Sequence, residues 1–174
     1  MINWIRLNIG RYFLHKKLKV NEKLTFNKFF SNSYDLFIIM PENDDNFKQA
    51  IKVVEFLKES KKNITLFLID YQYNLFADNK LYELIYYQKD DKNWFNLPKL
   101  SILQKVNEHN YDIAINLSLD DTVFTPLIIN KVKSKFRIGF KNSYSDLYYN
   151  FIVEPDKINS EISYKNLLNS LKLF

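Results

Sequence analysis

The chain has 174 residues, of which 47% are hydrophobic and 17% aromatic, enough for one domain with a real core and too apolar for a disordered chain. It contains no cysteine, which excludes disulfides, thiolate metal sites and a cysteine nucleophile. The net charge of +5 is unevenly placed: Arg6, Arg11, Lys16, Lys17, Lys19, Lys23 and Lys28 stand against Glu22 in residues 1–28, a net +6, which leaves −1 for the rest.

No apolar run reaches the length of a transmembrane helix, and the scattered charges of "MINWIRLNIGRYFLHKK" do not read as a secretory signal. The cytoplasm is the default location. Lysine far outnumbers arginine, as codon bias in an AT-rich genome would produce, so the pI of about 9.1 is poor evidence for nucleic acid, and no nucleic-acid partner is expected.

Residues 1–28 form the first expected element, a basic amphipathic helix with Ile2, Ile5, Ile9 and Phe13 on one stripe. Two placements are open: docked on the domain, or lying on an anionic membrane surface as a peripheral inner-membrane contact. From residue 29 onward the pattern alternates. "YDLFIIM" (34–40) and "NITLFLID" (63–70) are continuous apolar runs, the mark of strands buried on both faces. Between them "FKQAIKVVEFLKES" has helical spacing. "LYELIYY" (81–87) is a third strand, and "LPKLSILQKVNEHN" a helix with Pro98 near its first turn. "YDIAINLS" is a strand, "DDTVFTPLIINKVKS" a helix with Pro126 in its early turns, and "KFRIGF" (135–140) a short strand. "YYNFIVEP" (148–155) is the last strand, in which the Tyr148–Tyr149 pair packs. "SEISYKNLLNSLKLF" closes the chain as a helix capped by Asn159 or Ser160. Strand–helix alternation of this kind predicts an α/β fold: a single Rossmann-like three-layer domain, residues 29–174, with a mostly parallel sheet and the basic arm in front.

Ligands of such sheets sit outside the carboxyl ends of the strands. That rule nominates the loops at 41–46, 70–73, 118–122 and 140–146. The first, "MPENDDNF", has no glycine and carries Glu42, Asp44 and Asp45, which repel phosphate; dinucleotide and P-loop readings fall away, and no cofactor is expected. Asp44 or Asp45 either caps the next helix or acts as a general base. Ser118, Asp120 and Asp121 are candidate ligand-binding residues, again with helix capping by Asp120 or Asp121 as the alternative. Lys141 and Asn142 could meet an anionic ligand. His15 and His109 form no cluster, and no metal site is expected.

"YDIAINLSLDDTVFTPLIINKVKSKFRIGF" resembles the corresponding segment of the heptosyltransferase-type bacterial glycosyltransferases: a strand opening with Tyr-Asp, a polar loop, a helix, and a strand reading Arg137-Ile138-Gly139-Phe140. "LYYNFIVEP" resembles the stretch after it, and "LFIIMPENDDNFKQAIKVVEFLKES" stands where that family has its first strand, loop and helix. The resemblance covers residues 34–155, about the N-terminal half of a two-domain transferase, and extends to short standalone bacterial proteins built on that half. It implies that Asp44 or Asp45 stands where the family has a base toward the acceptor sugar, without the family's glycine beside it. It also implies a donor site in a second half for which this sequence has no counterpart. The expectation is therefore a non-catalytic binding or accessory domain, with a protein partner or a sugar-like ligand. The alternative is one subunit of a split glycosyltransferase of cell-envelope polysaccharide synthesis.

Overall fold

The computed structural model describes residues 28–76, 81–142 and 145–174. The expected helix over residues 1–28 and His15 lie outside them, Lys28 excepted.

Six parallel strands form one sheet in the order β3-β2-β1-β4-β5-β6. They are β1 (Asp35–Ile39), β2 (Asn63–Ile69), β3 (Tyr82–Tyr87), β4 (Asn110–Asn116), β5 (Lys133–Phe140) and β6 (Phe151–Val153). Helices connect them: α1 (Asp44–Glu59), the single turn α2 (Asp70–Tyr73), α3 (Leu100–Lys105) and α4 (Phe124–Lys131), with α5 (Ser160–Lys172) closing the chain. Strand order reverses between β1 and β4, and at such a switch point a parallel sheet holds its ligand beyond the carboxyl ends of the strands.

The continuous apolar runs follow from burial on both faces. Leu36 and Ile38 point to one side with Met40, under α1 (Phe47, Val53, Leu57) and α5 (Leu167, Leu171). Phe37 and Ile39 point to the other with Phe67 and Tyr87, under Ile102 of α3 and Phe124, Ile128 and Ile129 of α4. Each such side chain contributes about 1.5–3 kcal/mol by leaving water.

The tyrosine–aspartate start of β4 is a clamp. The Asp112 carboxylate accepts from the backbone N–H of Tyr34 at 2.7 Å and of Asp35 at 3.1 Å, which ties the amino end of β4 to that of β1. At the other end the Leu117 N–H donates to Ile39 O at 3.0 Å. Asn116 is the buried hub beneath: its amide donates to the Tyr149 hydroxyl (2.6 Å) and to Thr125 Oγ1 (3.1 Å), and its carbonyl accepts from the Ser118 N–H (3.0 Å).

Several boundaries move. Asn43, not Asp44 or Asp45, caps α1, its side chain accepting from the Asp45 and Asn46 N–H groups at 3.1 Å each. Asp120 and Asp121 do not cap α4, which begins later, at Phe124, after Val123 and with no side-chain cap. The chain needs those residues to cross from the sheet to the helix layer. α3 is six residues rather than the longer helix expected, and Pro98 precedes it in a bridge to Lys92. β6 is three residues. Tyr148 and Tyr149 therefore lie before it rather than in it, stacked edge-on at 4.7 Å and buried against the α4 face. Asn159 caps α5 as expected.

Gly139 explains itself in this packing. A Cβ there would lie within 2.7 Å of three carbons of the Tyr149 ring. Tyr149 is buried and held by Asn116, so it cannot swing away. Gly139→Ala is expected to destabilise the domain by about 2 kcal/mol or more through overpacking, read as a lower urea midpoint. A change within about 0.5 kcal/mol, the range of an ordinary surface substitution, would contradict this packing.

Candidate functional site at the carboxyl edge of the sheet

The crevice collects the loops after β1, β2, β3 and β4. The loop after β1 carries Glu42. Its carboxylate Oε1 accepts from the Tyr87 hydroxyl at 2.7 Å and from the Lys92 ammonium. Tyr87 ends β3, and Lys92 follows a 3-10 turn at Lys89–Asp91 that the Gln88 and Asp91 side chains close from both ends. The Lys92 side chain is only 18% exposed, so its partners matter more than those of a surface lysine. Its ammonium lies 4.7 Å from the centroid of the Phe124 ring and 5.4 Å from that of Tyr87, over their negative faces. Tyr87 is itself stacked on Phe67 at 4.8 Å. An aromatic floor thus holds a cation, and the cation holds Glu42.

The next loop braces the same segment. The Tyr71 hydroxyl donates to Glu42 O at 2.6 Å, and the buried Gln72 amide donates to Pro41 O at 2.9 Å. On the other side, the Tyr164 hydroxyl of α5 donates to Leu117 O at 2.7 Å. Both contacts to Glu42 fall on Oε1, and among the described residues no hydrogen bond is recorded for Oε2. Glu42 therefore presents one fixed, directed acceptor to the crevice.

Around it the charge is negative. Glu42, Asp44 and Asp70 lie near enough to the Tyr71 phenol to raise its pKa, after burial as the larger cause. Asp120 acts in the same sense on Tyr87 and Tyr164. Burial is the largest cause for both phenols, and at Tyr87 the Glu42 charge and hydrogen bond add to it.

The residues nominated by sequence divide. Asp44 and Asp45 sit on the first turn of α1, where they favour its positive end. The Asp45 side chain is 88% exposed and 3.6 Å from Lys48. Ser118 is buried, its Oγ accepting from the Asp120 N–H at 3.2 Å with Asp120 Oδ2 at 3.5 Å. Asp120 and Asp121 are both exposed. Lys141 pairs with Glu154 at 2.8 Å, one strand further along the edge, and Asn142 Oδ1 accepts from the Tyr148 hydroxyl at 2.6 Å. Ser118 and Asp120 belong to the same crevice as Glu42, since the loops after β1 and β4 are joined through Leu117 and Ile39. Lys141 and Asn142 form a separate group around β5 and β6. Sequence reasoning missed Tyr87 and Lys92. Lys92 stands 50 positions from Glu42, and nothing in the local pattern pairs them. Among the described residues no three potential ligands come together as a metal site, and no helix is long and apolar enough to cross a membrane.

A six-stranded parallel sheet in this order, with helices on both faces, defines a Rossmann-like domain. The crystal structure of a glycosyl transferase of family 9 from Veillonella parvula DSM 2008 superposes with a TM-score of 0.64 at 18% identity, over 81% of this chain and 42% of that one. The chain thus spans less than half the length of that transferase, and the likeness is one of fold. Over residues 6–174 the sequence matches the model of a family of unknown function (DUF6913), and the chain belongs to that family. No curated protein matches it.

The buried phenols give the fold an alkaline limit. Burial is the chief cause that pushes Tyr87, Tyr149 and Tyr164 well above their ordinary value of 10.0. A pKa raised in the folded state means stability that is intact below 10 and lost as pH rises beyond it. Each group then costs about 1.4 kcal/mol per pH unit. Stability measured by urea unfolding is expected to fall steeply above pH 10, with the slope reduced by about that amount per pH unit in Tyr164→Phe. Equal slopes in the two proteins would contradict the assignment.

Proposed function

We propose that this chain is a glycosyltransferase-like binding domain that holds a sugar-like, phosphate-free ligand at the carboxyl edge of its sheet and does not transfer it unaided. One observation carries the reading: the side chain best placed in the crevice, Glu42, has one carboxylate oxygen already committed to Tyr87 and Lys92. That arrangement orients an acceptor for a ligand hydroxyl. The carboxylates nominated as a base stand elsewhere, since Asp45 faces solvent and Asp44 lies on the helix turn. The remaining groups support the same class of ligand. Ser118 and Asp120 supply further acceptors, Tyr71 supplies an exposed ring, and the surrounding carboxylates disfavour phosphate.

A second reading is a subunit of a split, heptosyltransferase-like enzyme of envelope polysaccharide synthesis. The fold shared with the family 9 glycosyl transferase supports it.

Both readings meet in one experiment: melting curves of the full chain against a panel of neutral mono- and disaccharides, beside a turnover assay with nucleotide-sugar donors. The expected result is a rise in Tm of about 4 °C with a neutral sugar at ten times its Kd, reduced in Glu42→Ala, and no donor turnover. Turnover by the chain alone, abolished in Glu42→Gln, would overturn the non-catalytic reading. No shift with any sugar would overturn the ligand class. Turnover that appears only when a second polypeptide is added would establish the split enzyme.

A further inference from the structure

β3 lies at one end of the sheet, and among the described strands it pairs with β2 alone. The direction of its backbone groups follows from the ladder. On β2 the Asn63 N–H donates to Tyr34 O, and Phe67 O accepts from the Met40 N–H, each at 2.9 Å, so the odd-numbered residues of β2 face β1. Alternation turns Ile64, Leu66 and Leu68 toward β3. In the parallel register that pairs Ile64 with Tyr82, those three bond the backbone of Leu81, Glu83, Ile85 and Tyr87. The N–H and C=O groups of Tyr82, Leu84 and Tyr86 therefore point outward.

This edge carries little of the protection that open edges usually have. "YELIYY" contains no proline, no glycine and one charge, Glu83, which accepts from Thr65 Oγ1 at 3.0 Å. Leu81 beside it is 60% exposed and Tyr86 45%. A long apolar edge of this kind is a template for another strand.

We propose that β3 is a dimerisation edge, pairing antiparallel with β3 of a second copy about a two-fold axis at Leu84 and joining the two sheets into one. The strand is complementary to itself in that register. All the outward groups find partners: Leu84 bonds Leu84 of the second copy, and Tyr82 bonds Tyr86 in both directions. A two-fold at Ile85 would instead need the Gln88 N–H, which already donates to Asp91 Oδ2 at 2.9 Å. With the axis at Leu84, Tyr82 and Tyr86 form cross-strand aromatic pairs on the face of Leu84. On the other face Glu83 stands opposite Ile85, so no like charges meet. The flanking charge is complementary too. A hollow along the edge is lined by Glu83, Ile85, Tyr86, Lys105 and Glu108 among others, and Lys105 Nζ is 6.0 Å from the centroid of the Tyr86 ring. The two-fold sets that ring opposite Tyr82 of the second copy, one residue from its Glu83, and so brings Lys105 toward an acid. Pairing of β3 with β6 of the next copy would engage only the three residues of β6 and would repeat without closing. The proposal does not depend on the reading of the Glu42 crevice.

Sedimentation velocity of the full chain across the micromolar range tests it. A reversible monomer–dimer equilibrium is expected. Leu84→Lys and Leu84→Glu each put like charges face to face at the axis. Each is expected to weaken the dimer about tenfold or more, and an equal mixture of the two to restore it to within about threefold of the unaltered chain. Urea unfolding verifies that each variant folds. Hydrogen exchange of the unaltered chain needs no substitution: the Tyr82, Leu84 and Tyr86 amides are expected to slow as concentration rises through the dimer range. A monomer at every concentration would overturn the proposal and leave the edge to a strand of another protein. So would a dimer that both folded variants keep, a mixture of the folded variants that stays monomeric, or exchange at those three amides that ignores concentration. Assemblies that grow past the dimer would overturn it as well, because they require an edge contact that does not close.

Discussion

The whole arrangement depends on the pairing of β1 with β4. These two strands are neighbours in space but separated in sequence by two others, so their connections leave in opposite directions. The pair is fastened at both ends: at the start by Asp112 on the N–H groups of Tyr34 and Asp35, and at the finish by Leu117 on Ile39. With the strands in register, the loops carrying Glu42 and Ser118 must face each other across a crevice. If the register slipped by one residue, every buried side chain of β1 would change face. Phe37 would leave its packing against Phe67 and Tyr111, and Leu36 its place under α1 and α5.

Within that frame the crevice is built from the outside inward. Phe67 supports Tyr87, Tyr87 and Phe124 support Lys92, and Lys92 with Tyr87 fixes Glu42. Tyr71 and Gln72 hold the backbone of the same segment. The consequence is an acceptor held in a fixed direction. An ion pair of this kind, partly desolvated and hydrogen-bonded, is costly to break on one side only, since removal of Lys92 would leave the Glu42 charge without its counter-ion. Ligand recognition by a prealigned group avoids the entropy of ordering a loose one.

Much of the architecture was legible because two-sided burial writes long apolar runs. "LFII" and "LFLI" could hardly be anything but central strands, and the helix stripe at Phe47, Val54 and Leu57 lies where the periodicity placed it. The α/β class followed from those, while the resemblance to half of a transferase came from the motifs that end in Arg137-Ile138-Gly139-Phe140. Caps were less legible. In "MPENDDNF" four side chains are capable of capping, and only the geometry shows that Asn43 does so. The candidate site was legible as a place and not as a set of contacts. The carboxyl-edge rule led to the loops of Glu42, Ser118 and Asp120. Lys92 lies after an irregular turn closed by Gln88 and Asp91, and no period of strand or helix marks such a residue as facing a carboxylate half a sheet away. The shortness of α3 was hidden for a similar reason. The apolar spacing of "LSILQKV" continues beyond the point where the helix stops.

The proposed ligand site is the carboxyl edge of the sheet, organised by Glu42 and its partners. The most direct measurement is a two-dimensional amide NMR titration of the full chain with neutral monosaccharides. Saturable shifts are expected at Glu42–Asn43, Tyr71–Gln72, Lys92 and Ser118–Asp120, with the strands of the core unmoved. Saturable shifts confined to other surfaces, with those amides silent, would contradict it.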